Sequence, residues 1–228
     1  YGADVDDVSM VYHALTAPSV DRSTPAPTRP RLALLTEFLE MSDPEVATHL
    51  RDVAQRLSDA GADVVETRMP DSFDHLYAVH QLIFASEMAA VHSANLTRYQ
   101  EYYGLRIRTG VEAGALIPAA YVLQARRHRR ALAAAFDRFL ASYDALLLPT
   151  ASTQACGIEE TGDRRFQVPA TLLGTPAISL PTGLSRENLP LATQLIGRHG
   201  ADRELLRLAK WVANAVSLIE RPDLDRRQ

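Results

Sequence analysis

An α/β fold is predicted from three observations. A strand–helix–strand unit occupies residues 31–69. A helical, strand-poor stretch covers residues 74–143. Two short apolar runs ending in proline, DALLLPT and PAISLP, then read as strands ahead of a terminal helix.

The elements follow in order. Val5, Val8, Tyr12 and Leu15 recur at spacings of three and four and predict an opening helix. SVDRSTPAPTRP is rich in Pro, Ser and Thr and reads as a surface connection. RLALLTE, residues 31–37, is apolar enough to be a strand covered on both faces. In the next helix Asp43 is placed to cap, Pro44 stands at the first position, and Glu45 suits the positive end of the dipole. Val46, Leu50, Val53 and Leu57 form its buried stripe, and Gly61 ends it. DVVETRM is the second strand. A helix between two strands predicts a crossover and a parallel pair.

Helices are expected over residues 75–97, within YYGLRIRTGVEAG, and from Pro118 to about residue 143. DALLLPT is a strand stopped by Pro149. A connection of residues 151–169 follows, long enough to point to function. LLGTPAISLPTG reads as a strand pinned by Pro176 and Pro181, with Ala177–Leu180 as its core and Ser179 as a tucked hydroxyl. Gly174 lets the chain turn into it. LATQLIG is the last strand, and a helix runs from Asp202 to about Ile219.

Composition narrows the function classes. Of 228 residues, 46% are hydrophobic and 23% charged, an ordinary globular balance. The net charge of −4 argues against nucleic acid or acidic membrane as partners. The long uncharged stretch over residues 167–185 carries Pro169, Pro176 and Pro181, so it is no membrane helix. Cys156 is the one cysteine, which excludes an internal disulfide, and no Cys/His spacing suits a metal. A cytoplasmic setting is the expectation.

Four pieces stand in order: YDALLLPT, TGDRRF, LLGTPAISLPTGL and LPLATQLIGRHGADRELLRLA. Together they resemble the C-terminal half of the amidase signature family. That family includes bacterial amidases, fatty-acid amide hydrolase, allophanate hydrolase and the amide-hydrolysing component of the tRNA-dependent amidotransferase. The resemblance implies a mixed twisted sheet covered by helices on both sides. It implies hydrolysis of a carboxamide through a serine acyl-enzyme, with a second bridging serine and a lysine base, and it implies no cofactor. Residues 1–228 are then expected to form the C-terminal portion of a single amidase domain, with 74–143 mainly helical and 144–220 holding core sheet and terminal helix. The family's Gly/Ser-rich Ser-Ser-Lys region does not occur in this sequence. A fragment, split product or part of a larger assembly is therefore expected, inactive on amides by itself. Its partner would be the missing N-terminal half or another chain covering exposed sheet; a homo-oligomer is compatible with this.

Each candidate residue has a bland reading. Lys210, the one lysine, sits in the terminal helix and reads as a surface charge with a packed stem, not a buried base. Cys156 has no recognisable His partner and reads as inert. No catalytic residue is assigned. His75 and His80, like Glu87 and His92, are five apart and about 140° around a helix, wrong for a shared ion. RRHRR, residues 126–130, spreads around a helix and reads as a solvated face with internal ion pairs. RIRTG resembles a family segment bordering the acyl pocket, which makes Arg106 a candidate for a substrate carboxylate, since a guanidinium fork binds both oxygens. The resemblance places Asp163 and Phe166 near the pocket mouth, and Thr150 on the same cavity. Gln194 reads as a sheet or turn hydrogen bonder rather than a substrate contact.

Overall fold

A computed structural model describes residues 1–16 and 28–216. Most of the Pro/Ser/Thr-rich connection, and the predicted end of the last helix near Ile219, lie outside the described residues.

Every residue of β1 (Arg31–Leu35) after Arg31 is buried. Successive side chains of a strand point to opposite faces, and both faces of β1 are apolar. Leu32 and Leu34 enter one core, Ala33 and Leu35 the other. The strand ends earlier than its apolar run suggested. Thr36–Glu40 turns into a short helix, α2, whose Phe38 and Leu39 are buried, so TEF continues the core in helical form. α3 (Pro44–Asp59) follows with the expected stripe buried. Asp43 does occupy the N-cap, but its side chain makes no capping bond. Its backbone N–H is used instead, donating to the Ser152 carbonyl at 2.8 Å. β2 (Asp63–Thr67) then pairs parallel to β1, as predicted.

The helical stretch comprises α4 (Leu76–Arg98), α5 (Leu105–Ala115) and α6 (Ala119–Leu140). α4 and α5 approach closely because α5 is small where they meet: a Cβ at Gly114 would stand 2.0 Å from the Ala85 carbonyl oxygen. β3 (Ala145–Pro149) is wholly buried and runs parallel to β1. β5 (Pro190–Ile196) is antiparallel to β3, and β4 (Ala177–Leu184) is antiparallel to β5. The sheet order is β2-β1-β3-β5-β4, a mixed sheet as expected.

Helices cover both faces. On one side α3 and α8 (Asp202–Val216) pack Leu50, Val53, Leu57, Leu205 and Val212 against the sheet, joined by Val5 of α1 (Val5–Leu15). On the other, α4 and α6 contribute Val79, Ile83, Leu132 and Phe136, with Leu172 and Leu173 from α7 (Val168–Leu173).

The LLGTPAISLPTG stretch departs from its prediction in three ways. Leu172 and Leu173 end a helix rather than begin a strand, and Gly174 caps that helix with φ of 72°, a left-handed position that favours glycine. Pro181 does not end β4. The strand continues to Leu184 through a register shift between Pro181 and Gly183. β4 lies at the sheet edge among the described residues, where a proline need not donate to a ladder. Ala177 and Ser179 are correspondingly exposed rather than core.

Candidate functional site

β3 delivers Thr150 to the floor of a cavity of about 300 Å³ at the strand's C-terminal end. α3 forms one wall through Val46, His49 and Leu50. The 151–167 connection forms another, and the start of β5 closes the third. Thr150 is fixed on three sides. Its N–H donates to the Ala192 carbonyl at 3.0 Å, its hydroxyl shares a 2.7 Å hydrogen bond with Ser179, and its carbonyl accepts from the Gln167 amide.

Asp163 also lines the cavity. Its carboxylate accepts from the Arg165 N–H at 2.9 Å and from Arg165 Nε at 2.8 Å, an arrangement that fastens the loop to itself. The Arg165 hydrogen bond holds the Asp163 carboxyl below the ordinary aspartate range, so it is ionised at neutral pH. Arg106 stands in the first turn of α5 and reaches the rim indirectly, through a 3.4 Å contact to the Thr161 hydroxyl. Phe166 takes a different place. It is 0% exposed, meets Phe38 edge-on with centroids 5.2 Å apart, and does not border the cavity. Its aromatic bulk anchors the far end of the loop in the core. Gln194 donates to the Phe166 carbonyl at 3.1 Å and ties β5 to the turn before α7, a structural hydrogen bond.

Three residues that the sequence did not single out complete the cavity: His49, Gln154 and Gln167. His49 donates to or accepts from the Thr182 hydroxyl at 2.9 Å, and Thr182 continues to Thr193 at 2.9 Å. Burial, followed by the nearby Arg56 charge, pushes the imidazole below its usual range, so the neutral ring is favoured. A lone histidine at the border of the buried stripe of an amphipathic helix carries no local signal of this role. Gln167 was legible only as a member of the long connection.

Cys156 lines the cavity, yet its thiol faces the Glu160 carbonyl at 3.6 Å rather than a base. Lys210 lies on α8 in an exposed ion pair with Asp6, away from the cavity. Among the described residues no group of three or more His, Cys, Asp or Glu could hold a metal ion. His92 instead bonds the Tyr103 hydroxyl at 3.0 Å, and Glu87 pairs with Arg126 at 3.5 Å. No described helix is long and apolar enough to cross a membrane.

The profile of the Amidase family matches residues 3–206. The chain belongs to this family. It is 34% identical over 206 residues to the A component of the glutamyl-tRNA(Gln) amidotransferase of Desulforamulus reducens, covering 73% of this chain and 41% of that protein. The corresponding component of the Azorhizobium caulinodans enzyme is 32% identical over 232 residues, covering 85% and 46%. This amidase-family chain thus spans less than half the length of these curated relatives. Among solved structures, an amidase superposes with a TM-score of 0.85 at 24% identity, over 94% of this chain and 51% of that one. A 6-aminohexanoate cyclic dimer hydrolase gives 0.80 at 22% identity, over 97% and 55%. These structures share the fold.

Proposed function

We propose that this chain is the C-terminal portion of a carbon–nitrogen hydrolase that cleaves small carboxamides. The nucleophilic serine attacks the amide carbonyl, ammonia or an amine departs, and water releases the acid from the serine ester. The Ser-Ser-Lys machinery comes from the N-terminal half of the amidase domain, which these residues do not contain. The observation that carries this reading is the family match across residues 3–206. The cavity supports it. Thr150 and Asp163 furnish a polar wall at the end of β3, and Arg106 at the rim is the group for a substrate carboxylate. Phe166 contributes by holding the Asp163 loop in place. The same proposal has the protein working in the cytoplasm, without a cofactor.

The test is an amidase assay on simple aliphatic and aromatic amides, with this chain alone and with an N-terminal-half chain added. Activity is expected only with both. Turnover by this chain alone that is lost on mutating Lys210 or Cys156 would overturn the reading.

A second reading is an assembly component that keeps the cavity wall without taking part in catalysis. It is favoured by the edge position of β4 and by relatives that are themselves subunits. An unpaired edge recruits another strand. Size-exclusion chromatography separates the two: a stable complex with the N-terminal half that hydrolyses no amide favours assembly over catalysis.

A further inference from the structure

The arginine run on α6 is less dispersed than its sequence suggests. Arg126, Arg129 and Arg130 lie at helical spacings of three and four, and Ala133 and Asp137 continue the same stripe. This stripe borders a cleft of about 580 Å³ whose opposite wall is the turn from α7 into β4, with Thr175 and His199. The cleft shares no residue with the cavity at the end of β3.

We propose that this cleft binds a phosphate-type oxyanion, either free or as the phosphate group of a small molecule. Arg129 is preset for the task. Its Nε donates to the Leu172 carbonyl at 2.6 Å, which orients the guanidinium and leaves its terminal nitrogens for a ligand. Arg129 Nη2 and the His199 ring converge on the same turn. They stand 3.6 and 3.9 Å from the point where a Cβ on Gly174 would sit. His199 donates its Nδ1–H to the Gly174 carbonyl at 2.8 Å, which holds the ring beside Arg129 at the cleft wall. The Thr175 hydroxyl is buried there with no hydrogen-bond partner. A buried polar atom without a partner is costly, and an added acceptor relieves it.

Charge favours an anion. Three guanidiniums face two carboxylates, Glu87 and Asp137. The Glu87–Arg126 pair is exposed and long at 3.5 Å, so it holds Arg126 weakly. Guanidinium forks match the several oxygens of a phosphate better than a single point charge does. No Phe, Tyr or Trp lines the cleft, which favours a small oxyanion over a stacked nucleic-acid strand.

Isothermal titration with inorganic phosphate, and separately with glycerol phosphate, tests this at constant ionic strength. One saturable site is expected. Arg130→Gln, at an exposed position whose loss leaves the fold intact by thermal melting, weakens it about tenfold, as loss of one charge-assisted bond would. Asp137→Asn tightens it several-fold by removing the opposing charge. Equal affinity for the two ligands assigns the site to the free anion, and tighter glycerol phosphate assigns it to a phosphorylated small molecule. No saturable binding of either ligand overturns the proposal. So does equal binding by the Arg130→Gln protein, or a response that chloride reproduces.

Discussion

At the scale of single residues, small side chains and buried rings decide the most. Gly114 has no room for a methyl group against the Ala85 carbonyl. Gly114→Ala is expected to force α4 and α5 apart and to destabilise the chain by about 3 kcal/mol, the upper end for overpacking, measured by urea unfolding. Phe166 fills the core under the cavity loop, so Phe166→Ala is expected to cost about 3–5 kcal/mol in the same measurement. His49 gives a pH dependence. Its folded pKa lies below the ordinary value of a free histidine, so the unfolded chain binds the proton more readily. The stability it contributes is complete above the unfolded pKa of about 6.5 and is lost as pH falls below it. Melting temperature is expected to drop between pH 7.5 and 5.5, and His49→Gln should flatten that drop. His80, whose pKa is also lowered by burial, accounts for part of the remainder.

At the scale of elements, β4 is set by what packs on each side of it. Thr182 and Leu180 face the α3 side and are buried, while Ala177 and Ser179 on the other side are exposed. Gly183 admits the His49 ring, since a Cβ there would meet His49 Cε1 at 2.4 Å. Gly183→Ala should therefore destabilise the protein by about 1–3 kcal/mol. Adding His49→Ala should recover much of that loss, a coupling that a double-mutant cycle in urea would read directly. The prolines of LLGTPAISLPTG marked a strand correctly but misplaced its end. A proline stops a strand only where its missing N–H would have been paired, and that depends on neighbours that the local sequence does not name.

At the scale of the molecule, two helical layers sandwich a sheet that has five strands among the described residues, with β4 at one edge. If the N-terminal half completes the active site along this edge, a charge there should block it. Ala177→Lys is expected to leave the melting temperature nearly unchanged, since the site is exposed and does not line the cavity, while abolishing the gain of amidase activity on adding the N-terminal half. Unimpaired complementation would place the other half elsewhere.

The α/β class, the parallel β1–β2 pair, the long helices and family membership were all legible in the sequence. Each rests on local signals: apolar periodicity, caps and breakers, and the ordered run from YDALLLPT to LPLATQLIG. Thr150 and Asp163 were named through the family resemblance; both line the cavity at the end of β3, and their role toward a substrate belongs to the proposal. Only the tertiary structure decided that Phe166 is core, that His49 and Gln167 complete the cavity, and that three arginines of RRHRR share one cleft. The physical reason is common to all three. Burial and convergence are set by contacts between segments far apart in the chain, and a side chain's own neighbours in sequence carry no record of them.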